Sequence, residues 1–415
     1  MKENEKRLAS NTLFLYIMQI SGYVFPLITF PYLTRVLGAD KYGVVVFSNA
    51  VMQYFNVFID FGFLLSATST CSQNRDDKGK LSNITLSVMA SKLVLSAAAF
   101  VVLLILCHAI DTFKASSTYF VLSFIAIVLT VFLPDFLFRG IERMSILTYR
   151  VIFSKLVYML LIFVLVRKPD DYLFVPLATI GGNLVSVILT WFELIKKSYI
   201  SFVKISIKDI GLTIKEASTF FLSRVAVTAF STLNTVLLGF KCPSYEVGQY
   251  GSANTLTQAC KGLMSPVADS VYPYMVKNKN FSLLKKIILI LEPLILLACI
   301  VLWFLSPWVI RIVCGEGYEG AVDIFRLMLP YVAVGLPNSL MGYPVFGAMG
   351  KIKIANTSVI YASFFHLAGL AVLFITGKIN VKSVAVLMCI TEYILFSIRV
   401  VCFFKLRKRS KNSQE

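Results

Sequence analysis

The chain has 415 residues, of which 57% are hydrophobic and only 15% charged, with 34 Phe and a formal net charge of +18. Soluble domains run nearer 25% charged, so a mean hydropathy of +0.77 and repeated apolar runs of more than about 18 residues exclude a soluble globular class and specify a polytopic helical membrane protein. A membrane β-barrel is excluded by the lack of alternating segments, and a nucleic-acid partner by the lack of a soluble basic domain to hold one.

The amino terminus, MKENEKRLASN, is charged and runs straight into an apolar span at 12–34. No short apolar region ends in a small-residue cleavage site there, so this first helix is read as retained. Further spans are expected at 43–70, 83–107, 117–138, 150–167 and 172–195, completing an N-terminal six-helix lobe over 1–200. A basic, amphipathic connector at 201–215 is expected to lie on the cytoplasmic membrane surface. Spans at 216–240, 248–276, 284–313, 321–349, 354–376 and 381–404 then form a C-terminal six-helix lobe over 216–404, followed by a basic tail at 405–415. The expected architecture is therefore all-α, with about 12 transmembrane helices.

Orientation follows from the basic residues. With the amino terminus in the cytoplasm, the cytoplasmic segments hold about 25 Lys and Arg and the outer segments about 10, so both termini are expected inside. No loop is longer than about 20 residues, and no GxxxxGK[ST] occurs, so no nucleotide-binding domain is present to drive transport. The eight cysteines stand singly, without metal-ligand spacing or a disulfide pattern. No metal or cofactor is implied.

The two halves look duplicated. Val36-Leu-Gly-Ala-Asp-Lys-Tyr-Gly43 turns the first span into the second, and Ser244-Tyr-Glu-Val-Gly-Gln-Tyr-Gly251 does the same 208 residues later (251 − 43). Six helices per half makes this a parallel repeat about an axis along the membrane normal.

Charged residues inside spans are the functional candidates, because each is costly in hydrocarbon and usually faces a wet interior or an opposite charge. Arg224 lies two to three turns into the seventh span, facing an interior cavity or else snorkelling along its own stem. Lys261 lies mid-helix in the polar stretch NTLTQACKGLMSPV and corresponds by the 208-residue offset to Gln53 in the second span. Lys92 and Lys155 lie nearer the cytoplasmic ends of their spans, where snorkelling is a reading at least equal to an interior role, and Arg399 is placed at an interface. Asp60 is either a protonation or sodium site or the ion-pair partner of a basic neighbour. Glu292 and Glu392 have no partner that the sequence assigns. Prolines mark bends, and the tenth span, with Pro330, Pro337, Pro344 and four glycines, reads as a gating helix.

The turn LGADKYG, the later FIDFGF and above all PDFLFRGIERM (Pro134–Met144) resemble the Wzx-type polysaccharide flippases of the multidrug/oligosaccharidyl-lipid/polysaccharide exporter superfamily. Gly140, Glu142 and Met144 match the family's Gly-x-Glu-x-Met, whereas Phe136 and Arg139 stand where Trp and Gln are usual. The likeness covers nearly the whole chain. It implies two six-helix lobes around a central cavity, alternating access, and an undecaprenyl-diphosphate-linked oligosaccharide carried from the cytoplasmic to the periplasmic leaflet of the bacterial inner membrane for O-antigen or capsule assembly. Its partners would be membrane lipid, the lipid-linked glycan and the proteins that polymerise and measure the polysaccharide. A diphosphate needs cationic contacts in a low-dielectric site, which makes Arg224 and Lys261 headgroup candidates, with Gln53 beside them and Arg139 and Arg143 at the cytoplasmic mouth. Asp60 is the candidate for ion coupling. The alternatives are a multidrug-type cation antiporter of the same superfamily, which would want an acidic cavity, and a membrane glycosyltransferase or polymerase, which would want paired carboxylates or a large outer loop.

Overall fold

A computed structural model describes the backbone of residues 2–201 and 203–412, and the side chains of these except 2–9, 222–223, 226–227, 229–231 and 408–412. Phe202 of the expected connector and residues 413–415 of the basic tail lie outside the described residues, as do the side chains of Lys2, Lys6, Arg7, Lys408, Arg409 and Lys411. Among the described residues every regular element is a helix and there is no strand. The chain divides into two compact units, residues 1–240 and 241–415. The helix expected to open the second lobe thus falls with the first unit.

The first unit comprises α1 (Lys2–Asp60), α2 (Phe63–Gln73), α3 (Lys78–Ala109), α4 (Asp111–Lys114), α5 (Ser117–Thr130), α6 (Asp135–Gly140), α7 (Met144–Leu165), a 3-10 turn (Pro169–Leu173), α8 (Phe174–Lys196) and α9 (Ile207–Lys241). The second comprises α10 (Ser244–Gly262), α11 (Ser265–Asn278), α12 (Phe281–Cys314), α13 (Glu319–Ala333), α14 (Gly335–Leu340), α15 (Tyr343–Ala348), α16 (Ile352–Ile375) and α17 (Val381–Asn412). Nine helical segments among the described residues are long and apolar enough to cross a membrane. The 59 residues of α1 would be about 90 Å long if straight, roughly three times the hydrocarbon thickness. Gly38, at φ 68° and ψ 170°, turns the chain there instead.

Several expected spans are broken rather than continuous. The second breaks at Phe61 and Gly62, both at positive φ. A Cβ on Gly62 would meet Phe220 Cβ at 2.8 Å, so the break also lets α9 approach closely. The fourth breaks before Pro134, which has no N–H to continue the ladder and forces Leu133 out of the helical region. The eighth breaks around Leu263 and the tenth at Val334 and again at Gly342.

These breaks repeat between the units. α6 and α15 start 208 residues apart (343 − 135), and so do α7 and α16 (352 − 144). Both short helices close with the same turn, in which the N–H two residues past the cap returns to a carbonyl five residues back. Arg143 N donates to Phe138 O at 2.8 Å and Lys351 N to Phe346 O at 2.7 Å. The left-handed residue of that turn is Glu142 (φ 59°) in the first unit and Gly350 (φ 66°) in the second.

Each unit has its own core. Phe63, Cys71, Leu81, Phe136, Phe138, Leu147 and Leu194 pack together in the first. Met275, Leu284, Leu336, Leu340, Val345 and Phe346 do so in the second. The outward face of α12 exposes Leu289, Ile290, Leu294, Leu297, Trp303, Phe304 and Trp308. An apolar face of that length belongs against lipid.

Candidate functional site

The polar residues of the second unit converge on one network. Lys261, near the end of α10, places Nζ 2.9 Å from Glu392 Oε1 on α17. The same ammonium lies 3.7 Å from the centroid of the Tyr331 ring on α13, close enough for a cation–π contact. Asn338 Nδ2 donates to the same Glu392 oxygen at 2.8 Å. Arg399, two turns after Glu392 on α17, donates from one guanidinium nitrogen to Asn338 O at 2.6 Å and Asn338 Oδ1 at 2.8 Å. Its Nε donates to Ser358 Oγ at 3.2 Å on α16.

The broken tenth helix explains why Arg399 is needed. Gly342 N, the normal partner of Asn338 O in an unbroken helix, bonds to Ser339 O instead. The freed carbonyl takes the guanidinium, so a buried backbone acceptor is satisfied by a charged donor. Gly342 admits the long Arg399 side chain closely, since a Cβ there would lie 3.2 Å from Arg399 Nη1. The network carries two positive groups and one negative, so a cationic excess of one sits in the helical interior. Arg399 is buried here, correcting its sequence placement at an interface, and Glu392 has the partner that sequence reading did not assign. The signal was present: residues seven apart on a helix share a face, so Glu392 and Arg399 point together.

In the first unit Asp60 accepts from Lys92 Nζ at 2.8 Å. Lys92 is buried and paired, not snorkelling. Of the two sequence readings of Asp60, the ion-pair partner is the one this geometry displays.

The segment Pro134–Met144 makes structural contacts along its whole length. Asp135 receives both terminal nitrogens of Arg150, at 2.6 and 2.9 Å, a bidentate pair joining α6 to α7. Gly140 lets α6 lie directly on α2: a Cβ there would meet Cys71 Cβ at 2.5 Å and Ser72 N at 3.1 Å. Glu142 pairs with Arg75 at 3.1 Å, and its carbonyl accepts Asn11 Nδ2 at 3.1 Å, tying in the start of α1. Met144 begins α7 and packs beside the core of the unit.

Two of the basic candidates sit at clefts. Arg139 is half-buried and lines a cleft of about 490 Å³ with Thr68, Ser69, Ser72 and Gln73, its Nε buried without a partner among the described residues. Arg143 is exposed and lines a second cleft of about 300 Å³ with Arg75, Lys78 and Tyr199. Arg224 is exposed on α9 and has no partner among the described residues. It belongs to the first unit and Lys261 to the second.

Gln53 lines a pocket of about 320 Å³ inside the first unit, together with Asn49 and Asn56 from α1, Ser123 from α5, Tyr158 from α7 and Asn183 from α8. Among the described residues no Asp, Glu, Lys, Arg or His lines it. Among the described residues no three His, Cys, Asp or Glu side chains are grouped to hold a metal ion.

Known proteins resemble this chain in sequence and in fold. Two curated relatives carry the name "Putative O-antigen transporter". One, from Escherichia coli (strain K12), is 29% identical over 337 residues, covering 80% of this chain and 81% of its own. The other, from Shigella dysenteriae, is 26% identical over 362 residues, covering 86% and 90%. Among solved structures, an inward-facing multidrug resistance MATE family transporter of the MOP superfamily superposes with a TM-score of 0.70 at 14% identity, over 96% of this chain and 98% of that one. The lipid II flippase MurJ, in an inward closed conformation, gives 0.69 at 15% identity, over 94% and 87%. At such identities these two establish the shared fold alone. The polysaccharide biosynthesis protein family matches residues 8–279, more than half of the chain. The chain belongs to that family, as its LGADKYG, FIDFGF and PDFLFRGIERM segments lead one to expect.

Proposed function

We propose that this multi-pass membrane protein is a flippase for lipid-linked oligosaccharides, and that its cargo is an undecaprenyl-diphosphate-linked repeat unit of O-antigen or capsule. The observation that carries the reading is the cationic network of Lys261, Glu392, Asn338 and Arg399, buried in helices of a chain whose relatives are named as O-antigen transporters. A diphosphate brings the negative charge that such a network lacks, and Lys261 is the cation whose present partner, a single carboxylate, a phosphate can displace.

In this reading the chain crosses the bacterial inner membrane twelve times. Gly38 divides α1 into two crossings, and α9 and α10–α11 add two to the nine apolar segments. Both termini are cytoplasmic on the basic-residue bias. Alternating access moves the headgroup across, with Arg224 and Lys261 as its contacts and Arg139 and Arg143 gathering it at the cytoplasmic mouth. The exposure of Arg224 and the clefts at Arg139 and Arg143 support those roles. The pairing of Asp60 with Lys92 supports a structural part for that carboxylate over ion coupling. No catalytic step is assigned to any residue.

The test is translocation in proteoliposomes of a fluorescent polyprenyl-diphosphate oligosaccharide, followed by lectin or quencher accessibility. Wild type should flip it, and Arg224→Ala and Lys261→Ala should lose translocation at normal folded yield. Retained flipping in both variants refutes the headgroup assignment. No flipping by wild type, with uptake of a lipophilic cation against a proton gradient, refutes the flippase reading in favour of an antiporter.

A further inference from the structure

We infer that the first unit contains a subsite for an uncharged sugar ring, built on the Asn49–Gln53–Asn56 face of α1. The inference rests on the flippase reading and adds where, within the chain, the glycan is recognised. The three amides are spaced four and three residues apart, so they form one stripe along the helix. All three are exposed, and none makes a hydrogen bond among the described residues. The stripe lies in a stretch apolar enough to cross the membrane. An amide with no partner is strongly disfavoured in hydrocarbon, so this face lines water or a polar ligand rather than lipid.

The wall opposite supplies matching chemistry. Ser123, Tyr158 and Asn183 line the same pocket, whose volume is about 320 Å³. That is the liquid volume of roughly ten waters, the scale of one sugar ring. Asn183 is held in place, its Nδ2 donating to Ala126 O at 2.7 Å, and Ser123 Oγ lies 3.4 Å from Ser48 Oγ. Amide and hydroxyl groups each both donate and accept. A ring of sugar hydroxyls has the same double capacity, and a side-chain amide can bridge two neighbouring hydroxyls.

Charge decides between ligand classes. Among the described residues no ionisable side chain of the Asp, Glu, Lys, Arg or His type lines the pocket. A diphosphate would be desolvated there without a counter-charge, and a lipophilic cation would meet no carboxylate. A neutral polyol loses nothing of that kind. Sites built to hydrogen-bond hydroxyls also reject analogues that lack them, so this pocket suits selection among repeat units.

The experiment uses the full-length chain in detergent and two probes: undecaprenyl diphosphate bearing a neutral trisaccharide, and bare undecaprenyl diphosphate. Affinities are measured by microscale thermophoresis. Wild type should bind the glycosylated probe about tenfold more tightly than the bare one. Asn49→Leu/Asn56→Leu, near-isosteric and without hydrogen-bonding groups, should abolish that preference while leaving bare-probe affinity unchanged. Gln53→Leu should reduce it in the same sense and serves where the double variant does not fold. Lys261→Ala should weaken both probes alike. A wild type that binds both probes equally, or a preference that survives in the folded Leu variants, overturns the subsite and leaves the flippase reading standing. Binding of neither probe by wild type overturns both.

Discussion

The pair Lys261–Glu392 allows stability and transport to be separated in one set of variants. The two side chains are 21% and 11% exposed, and their heavy atoms are 2.9 Å apart. Glu392→Leu leaves the ammonium of Lys261 stranded, and Lys261→Met strands the carboxylate. Removing one member of a buried pair costs about 3–5 kcal/mol, much of it the penalty for the charge left behind, and the residual exposure of Lys261 puts both variants near the lower figure of about 3 kcal/mol. The double variant removes both charges, leaving chiefly the unpaired amide of Asn338, which now donates to nothing. That residue of cost is about 1–3 kcal/mol. The singles and the double should therefore be strongly non-additive, with a coupling of about 3 kcal/mol or more. Denaturation of the purified chain in mixed micelles gives the four stabilities. The same four proteins in the flipping assay should show the double variant folded yet inactive, because the cation is gone. Additive losses, with the double variant near 6 kcal/mol, would refute the pairing energetics. A folded double variant that flips at the wild-type rate would refute the role of Lys261.

Three further outcomes follow from single contacts. Gly140→Ala drives a Cβ into Cys71 and the backbone of Ser72, and should cost about 1–3 kcal/mol as an overpacked contact; a melting temperature equal to wild type would mean α6 and α2 are not held so closely. Glu142→Gly removes an exposed ion pair worth about 0.2–1 kcal/mol but relieves a left-handed non-glycine residue costing about 1–2 kcal/mol. Its stability should stay within about 1 kcal/mol of wild type, and a loss of 3 kcal/mol in denaturation would show that the Arg75 contact matters far more than its exposure implies. Arg399→Met leaves Asn338 O without its charged donor and should lose about 2–3 kcal/mol, whereas Arg399→Lys, which can reach only part of the set, should lose less but still measurably; a Lys variant as stable as wild type would argue against the guanidinium's fork as the reason for Arg.

The membrane class, the helical architecture and the family were legible in the residues because each rests on local pattern: apolar length, turn chemistry and the segment from Pro134 to Met144. The breaks were legible only in part. Pro337 and Pro344 announced bends, but the break at Phe61–Gly62 is set by how closely α9 comes to Gly62, a tertiary fact that no local pattern carries. Partners were the least legible. Lys92 and Asp60 are 32 residues apart and Lys261 and Glu392 are 131 apart, so pairing depends on which helices are neighbours. Hydropathy reading treats every charge as an isolated cost, and it therefore left snorkelling open for Lys92 and placed Arg399 at an interface. Gln53 illustrates a different limit. The offset that aligned it with Lys261 was sound as a repeat, but a repeat conserves backbone geometry, not the charge of the residue it carries.

That separation of backbone from side chain is clearest at the duplicated turn. Phe138 to Arg143 and Phe346 to Lys351 make the same pair of closing hydrogen bonds at the same offset. The left-handed position is filled by Gly350 in one unit, at no steric cost, and by Glu142 in the other, where a Cβ must be tolerated. The difference is offset by what the Glu142 carboxylate alone can reach, Arg75 after α2, while its backbone carbonyl meets Asn11 near the start of α1. A glycine keeps the carbonyl contact and loses the carboxylate. In the second unit the corresponding fastening lies elsewhere, one turn before α15, where Arg399 holds Asn338 by both its carbonyl oxygens. Each unit therefore carries a charged strap close to one of its broken helices. In the first the strap is exposed, joins loop to loop and can be exchanged at little energetic cost. In the second it is buried and shares Asn338 with Glu392 and hence with Lys261. A negative group that draws Lys261 away from Glu392 must therefore disturb the strap on the broken helix, and this gives the second unit a direct physical link between ligand charge and backbone geometry that the first unit's surface strap does not provide.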